Sequence, residues 1–169
     1  MILIEPQIEE KFGAPSFKKR RLASFLTAAR EAAGLAGSVS VMLMGDKQIR
    51  TLNRQYRRKD KATDVLSFPA GETGSPSLIA GDLAISVETA AREAESRGHA
   101  LVLEIEILLL HGVLHLAGYD HETDSGQMAR KEEKLRRQLG LEQGLIARTT
   151  GKPVRKPARK PAVKRSRKP

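Results

Sequence analysis

The chain has 169 residues, a length that suits one domain with a sizeable core, and its lack of tryptophan and scarcity of other aromatics make that core aliphatic. It contains no cysteine, which excludes disulfides and thiolate metal ligands and fits a reducing, cytoplasmic location. The formal net charge of +10 lies at the C-terminus, because residues 149–169 carry nine of the 30 basic residues and no acidic one.

Neither the N-terminus nor the most apolar stretch predicts a contact with a membrane. The opening MILIEPQIEEKF has no basic start and soon reaches acidic residues, so we expect no signal peptide. The stretch ALVLEIEILLLHGVLHLAG contains two glutamates and two histidines, so we expect a buried helix rather than a membrane span.

The first part of the chain predicts two strands, each followed by a helix. MILIEP is a short strand that ends at Pro6, and the periodicity after it predicts a helix over 16–35 with Gly34 as its C-terminal stop. The alternating, β-branched SVSVMLM predicts a strand over 38–44, and the helical spacing of GDKQIRTLNRQYR predicts a helix over 45–57.

The second part adds two strands and three helices. An apolar helix runs from about Leu101 to Ala117, where Gly118 ends it. Because strands and helices mix without strict alternation, the predicted class is α+β, with a small mixed β-sheet of about four strands packed with about five helices. The other predicted bounds are 63–69 for the third strand, 70–77 for a loop, 78–87 for the fourth strand, 88–98 for a helix, and 124–140 for the last helix, which Asp124 or Ser125 would cap.

We therefore expect one folded domain over residues 1–145 and a basic tail over 149–169. The tail, TTGKPVRKPARKPAVKRSRKP, repeats Lys-Pro four times and has almost no apolar content, which predicts disorder. Two interpretations of the tail stay open. It would hold RNA or ribosomes by neutralising phosphates, or it is a solvated extension with no required role.

Three of the four histidines lie in the segment HGVLHLAGYDHETD. His111 and His115 are four residues apart and share one face of the apolar helix, and Gly118 allows the sharp turn that brings His121 back to the same point. Three imidazoles without a thiolate suit one Zn²⁺ ion with an open position for a water. Ordinary structural histidines are the alternative, but the combination favours a metal site at the end of the central helix.

The spacing is that of zinc proteases, except that Gly112 stands where those enzymes have the glutamate that acts as general base. Glu104 lies seven residues before His111 and either hydrogen-bonds a metal ligand or pairs with a basic residue, which we favour. Asp120 either caps the turn, which we favour, or orients a ligand or water. His99 is interpreted as an ordinary surface residue.

A second cluster of chemistry-bearing residues is the basic segment LNRQYRRKDKATDVLSFP. Guanidinium groups bind phosphate in a forked geometry, and an arginine near a metal can stabilise charge that develops on a phosphoryl group. A basic cluster alone is more often a solvated surface, but its combination with a metal site favours the interpretation that it binds phosphate. Its cations are Arg54, Arg57, Arg58, Lys59 and Lys61.

The two segments, with GDLAIS after them, resemble the YbeY family of bacterial metal-dependent endoribonucleases, known as rRNA maturation factors. The histidine segment matches the family pattern His-Gly-x-x-His-Leu-x-Gly-Tyr-Asp-His throughout. The resemblance covers roughly residues 1–145 and implies a zinc-binding domain that cleaves single-stranded RNA. It implies metal ligands at His111, His115 and His121 and a functional arginine at Arg57. The resemblance does not extend to the other cations of the basic segment, so Arg54, Arg58, Lys59 and Lys61 are RNA-binding candidates by their charge alone.

The resemblance also implies a pathway. The expected role is maturation of the 3′ end of 16S rRNA and ribosome quality control, with the small ribosomal subunit, other ribosomal proteins or a GTPase as partners. One Zn²⁺ ion would activate a water or polarise a phosphoryl oxygen, and Arg57 would bind the scissile phosphate. A non-catalytic zinc-containing assembly factor and a zinc peptidase-like hydrolase stay open as alternatives. The basic tail departs from the family pattern, and the sequence identifies no general base.

Overall fold

The computed structural model describes residues 1–71 and 78–141. The basic tail, the end of the expected domain at residue 145 and most of the expected loop over 70–77 lie outside these residues. In chain order the described elements are β1 (Ile2–Ile4), α1 (Pro6–Phe12), α2 (Ala14–Phe17), α3 (Lys19–Ala33), β2 (Ser38–Met44), α4 (Asp46–Arg57), β3 (Val65–Pro69), β4 (Ile79–Ser86), α5 (Val87–Arg97), α6 (Leu101–Leu116) and α7 (Gln127–Gln138).

The four strands form one mixed sheet in the order β1-β2-β4-β3. Strand β2 pairs in parallel with β1 and β4, whereas β3 runs antiparallel to β4. Alternate side chains of β2 and β4, such as Val41, Leu43, Leu83 and Ile85, are buried in the main core. The predicted class, an α+β domain with a four-stranded mixed sheet, is confirmed.

Helix α6 occupies the centre of the molecule, in contact with α3, α5, α7 and strands β3 and β4. Its residues are buried around nearly the whole circumference, which explains why the sequence there shows an apolar run instead of an amphipathic stripe. The buried carboxylate of Glu106 is held by two hydrogen bonds from the Arg21 guanidinium, at 2.6 and 2.7 Å. Within the described part of the chain no single helix is long and apolar enough to cross a membrane. Helices α5 and α6 reach that length and composition only as a pair, and they are bent by 115°.

Helix α4 lies on the other face of the sheet, over β3 and β4. A small second cluster of buried side chains holds it there, formed by Met44, Ile49, Leu66 and Ala84. This packing fixes the position of the basic segment, because α4 carries its first third and β3 its end. Both faces of β4 are thus covered, one by α6 and one by α4.

The N-terminal third differs from the prediction of one strand and one helix. Pro6 does not only end β1: it begins α1, where the missing N–H is no disadvantage because the first helical N–H groups have no partner within the helix. The helix predicted over 16–35 is wrong at its start. Lys18 adopts a left-handed conformation (φ 43°), which ends α2 and lets α3 begin at Lys19. Gly34 does end α3, with φ 71°.

The last helix begins later than predicted, at Gln127, after Gly126 in a left-handed conformation. Asp124 is not the residue next to the helix, yet its carboxylate accepts hydrogen bonds from the N–H groups of Gly126 (2.6 Å) and Met128 (2.7 Å). Asp124 therefore satisfies a donor of the first helical turn from outside the helix, which is the role that a capping residue has.

Candidate metal centre

Three histidines meet where α6 ends. His111 and His115 project from successive turns of α6, and their Nε2 atoms lie 3.2 Å apart. Gly118 has a φ of 90°, and the turn that it permits returns the chain so that His121 joins the pair. One ring nitrogen from each histidine lies within 4.8 Å of the other two. The predicted convergence of the three imidazoles is confirmed, and the group could hold a metal ion.

The donor chemistry of this group fits a divalent cation. Burial, reinforced by the neighbouring rings of His111 and His121, lowers the pKa of His115 to about 4, so this imidazole is neutral at pH 7. The Nδ1 atom of His121 is buried and has no hydrogen-bond partner among residues 1–71 and 78–141. A buried polar nitrogen without a partner is unfavourable, and coordination of a cation removes that penalty. Three nitrogen ligands with no thiolate are a set that Zn²⁺ binds in catalytic sites.

A carboxylate from α7 supports the first histidine. Glu132 Oε2 lies 3.0 Å from His111 Nδ1, and the two side chains are 2% and 7% exposed. Sequence reasoning missed Glu132, although a signal existed. It lies on α7 between Met128 and Leu135, at the spacing of one buried helical stripe, and it is the one charged residue of those three positions.

Gly112 is a contact point between α6 and the sheet. A Cβ at this position would lie 2.8 Å from Cδ2 and 3.0 Å from Cδ1 of Leu83 on β4, and Leu83 is fully buried. The Ser67 hydroxyl donates to the Gly112 carbonyl at 3.4 Å. A side chain at the position that carries the general base in zinc proteases would therefore overlap Leu83 here, which counts against the peptidase alternative.

Glu104, which the sequence analysis considered as a possible partner of a metal ligand, contacts a different histidine. Glu104 is completely buried and its Oε2 lies 2.7 Å from Nε2 of His99, in agreement with the favoured interpretation of a carboxylate paired with a basic group. The interpretation of His99 as an ordinary surface residue is wrong, because it is only 17% exposed and makes this hydrogen bond.

Asp120 holds the turn that carries His121. Its carboxylate accepts hydrogen bonds from the Glu122 N–H and the Thr123 hydroxyl, both at 3.0 Å. These two bonds, the backbone one first, lower the pKa of Asp120. The favoured interpretation of Asp120 as a turn residue agrees with this geometry.

The basic segment reaches the histidine turn through Arg57. Its Nη2 atom lies 3.8 Å from Oε2 of Glu122, the residue that follows His121, and both side chains are about half exposed (49% and 58%). The ring of Tyr56, 61% exposed, packs edge to face against Phe68 at 5.2 Å and holds the end of α4 against β3. Arg57 is thereby positioned at the edge of the candidate metal centre.

The other four cations of the segment are exposed around the end of α4. Arg54 lies near Asp60, whose carboxylate forms two hydrogen bonds with Arg50, at 2.9 and 3.0 Å. Asn53 donates to the Lys61 carbonyl at 2.8 Å and so ties the chain after α4 back to the helix. The exposed set is Arg54, Arg58, Lys59 and Lys61.

Comparison with known proteins agrees with this site. A family model described as "Endoribonuclease YbeY" matches residues 7–140, which include all three histidines, Glu132 and the basic segment. The chain belongs to the endoribonuclease YbeY family. A member of this family from Koribacter versatilis is 53% identical over 132 residues, which cover 78% of this chain and 84% of the relative. A YbeY protein from Nautilia profundicola is 49% identical over 110 residues, covering 65% of this chain and 78% of that protein.

A solved structure is also similar to this chain. The solution structure of TM1509 from Thermotoga maritima matches 89% of this chain and 94% of its own length, with a TM-score of 0.55 at 26% sequence identity. The resemblance to YbeY proteins that the histidine segment and the basic segment indicated is therefore confirmed.

Proposed function

We propose that this YbeY-family chain is a zinc-dependent endoribonuclease that cleaves single-stranded RNA, acting in the maturation of the 3′ end of 16S rRNA and in ribosome quality control. The observation that carries the proposal is the convergence of three histidine nitrogens within 4.8 Å beside Arg57. The relatives are named endoribonucleases, and a phosphodiester is the substrate that a metal centre with an adjacent guanidinium suits.

His111, His115 and His121 would hold one Zn²⁺ ion. When bound, Zn²⁺ supplies a Lewis acid that polarises a phosphoryl oxygen and lowers the pKa of a coordinated water. The residues of the chain favour that binding, because the fold brings the three imidazoles together and His115 is neutral at pH 7.

Arg57 would bind the scissile phosphate through charge-assisted hydrogen bonds and stabilise the negative charge of the transition state. Its present partner, Glu122, is a weak competitor. An ion pair at 3.8 Å between two half-exposed side chains contributes about 0–1 kcal/mol, so an RNA phosphate can replace it at little cost.

The remaining cations would hold the RNA backbone on either side of the cleaved bond. Arg54, Arg58, Lys59 and Lys61 are exposed near Arg57, and cations of this kind release counterions from RNA whatever its sequence. Residues 1–145 would form the nuclease domain in the cytoplasm, with the small ribosomal subunit as partner. The tail over 149–169 would add nonspecific attraction, and its deletion is then expected to lower both RNA affinity and the salt dependence of binding.

The test is cleavage of single-stranded and duplex RNA by purified, zinc-loaded protein, with His111→Ala prepared in parallel to detect a contaminating nuclease. We expect wild type to cut single-stranded RNA, and His111→Ala to lose both the metal and the cleavage. Cleavage that persists after loss of the metal would overturn the proposal. Stoichiometric zinc and binding to small ribosomal subunits without any cleavage would favour the non-catalytic assembly factor instead.

A further inference from the structure

We infer that Glu132 is a positioning residue for the metal centre, whose carboxylate fixes His111 in the one tautomer that can bind a metal through Nε2. This inference rests on the proposed metal function of the three histidines. It assigns a role to a residue of α7, an element that contributes none of the three histidines.

The two nitrogens of His111 face different partners. Nδ1 lies 3.0 Å from Glu132 Oε2, and Nε2 lies 3.2 Å from His115 Nε2 inside the histidine cluster. A carboxylate oxygen accepts a hydrogen bond from a ring N–H, so this contact favours the His111 tautomer that carries its proton on Nδ1. The lone pair is then on Nε2 and points at the position where the three histidines converge.

The alternative tautomer would close the site. At 3.2 Å the Nε2 atoms of His111 and His115 are close enough for a hydrogen bond if either of them carries a proton. A His111 ring protonated on Nε2 would donate to His115 and occupy both ligand atoms at once. By holding the His111 proton on Nδ1, Glu132 prevents His111 from donating to His115 and leaves the His111 Nε2 lone pair directed into the cluster.

Packing alone does not explain a carboxylate at this position. Met128 and Leu135, one turn before and one turn after Glu132 on α7, are buried in the main core. An apolar residue at position 132 would extend the same stripe, whereas a carboxylate that is 2% exposed must be paired to be tolerated. One partner that it meets is a ring nitrogen of a proposed metal ligand, the arrangement that orients metal-bound histidines in general.

The first measurement is zinc affinity by competition with a chelator, for wild type, Glu132→Gln and Glu132→Ala. Glu133→Gln is the matched control, because Glu133 is the next residue of α7 and is exposed. We expect zinc binding to weaken about 10- to 100-fold in the two Glu132 variants and to stay within twofold of wild type in the control. The thermal unfolding of each metal-free protein separates this effect from a loss of stability.

The second measurement reads the tautomer itself. Correlation of ring nitrogens and ring protons by NMR in the metal-free full-length protein should show His111 protonated on Nδ1 in wild type, with the Nε2-protonated form appearing in Glu132→Gln. This measurement on wild type decides the question even if Glu132→Ala does not fold. His111 protonated on Nε2 in wild type would overturn the inference.

The outcomes also separate this inference from the proposed function. Loss of zinc in His111→Ala, with unchanged affinity in both Glu132 variants, would overturn the role of Glu132 alone. Unchanged zinc affinity in His111→Ala would overturn the metal site itself, and the inference with it.

Discussion

Gly112 of α6 and Leu83 of β4 are in such close contact that a Cβ added to the glycine would lie 2.8 Å from Leu83 Cδ2. The contact occurs next to His111 and within one turn of His115, so it fixes the distance between the sheet and the helical turn that carries two proposed metal ligands. It also explains in physical terms why a glycine occupies position 112, which the sequence alone does not reveal. The sequence shows only that the glutamate of a zinc protease is missing, whereas the structure shows that a side chain at this position would overlap Leu83.

We predict that Gly112→Ala destabilises the protein. The added methyl group overpacks the contact with Leu83 at a cost of about 1–3 kcal/mol, while the better helix propensity of alanine returns about 1 kcal/mol. Urea unfolding should show a net loss of about 1 kcal/mol. In a Leu83→Ala background the obstacle is gone, so the same substitution should stabilise. A Gly112→Ala effect of the same sign and size in both backgrounds would contradict this account.

We predict that the Asp46 carboxylate stabilises the fold and that this contribution is lost in acid. It accepts hydrogen bonds from Ser86, Thr89 and Arg92, which join the start of α4 to the junction of β4 and α5. Burial alone would raise the pKa of Asp46, but the three hydrogen bonds together lower it. A carboxylate with a lowered pKa stabilises the folded state above its unfolded pKa, and the stabilisation disappears as the pH falls through the folded pKa.

Asp46→Ala should therefore lower the unfolding free energy at pH 7 by about 1 kcal/mol, a value reduced for the partial exposure of the group. The gap between variant and wild type should narrow as the pH falls below about 4. Urea unfolding in the presence of a chelator measures both effects. Asp60→Ala is the control, because Asp60 is exposed and its ion pair with Arg50 should matter little. A gap that stays constant with pH would show that the charge of Asp46 is not the cause.

The elements predicted best are those whose signal is local. The alternation of SVSVMLM gives β2 its bounds, and Gly34 ends α3 because a glycine adopts the left-handed conformation at no steric cost. The break before α3 was not predicted, because no glycine marks it. It depends on a left-handed conformation at Lys18, a residue type that seldom adopts one, and nothing in the local pattern indicates it.

The residues of the candidate site also differ in whether the local sequence indicates them. The three histidines could be predicted because one helix and one turn bring them together, and their spacing along the chain records that geometry. The buried stripe of α7 marks Glu132 as unusual, but its contact with His111 could not be predicted, since it reaches His111 from another helix, 21 residues further along the chain. The pair of His99 and Glu104 spans the start of α6 and was missed because its hydrogen bond depends on how the preceding turn folds.

We predict that Arg57→Ala lowers cleavage of single-stranded RNA about 10²- to 10³-fold at saturating RNA while leaving zinc bound. The guanidinium would contact the scissile phosphate but not the metal, so the cleavage rate should fall while the zinc content stays unchanged. Arg57→Lys should recover only part of the activity, because lysine keeps the charge without the forked geometry. Arg54→Ala is the matched control, expected to weaken binding slightly without changing the rate at saturation. Loss of zinc in Arg57→Ala would mean that the arginine is structural.

We predict that Glu122→Gln tightens RNA binding by up to about fivefold, because it releases Arg57 from a competing carboxylate whose surface ion pair is worth about 0–1 kcal/mol. Binding of a single-stranded oligonucleotide by zinc-loaded protein at low salt measures the effect. Removal of any negative charge near the RNA would raise RNA affinity somewhat, so the same substitution is repeated in an Arg57→Ala background. If Glu122 acts by occupying Arg57, the gain disappears in that background. An equal gain with and without Arg57 would show that Glu122 repels RNA directly and does not compete for the arginine.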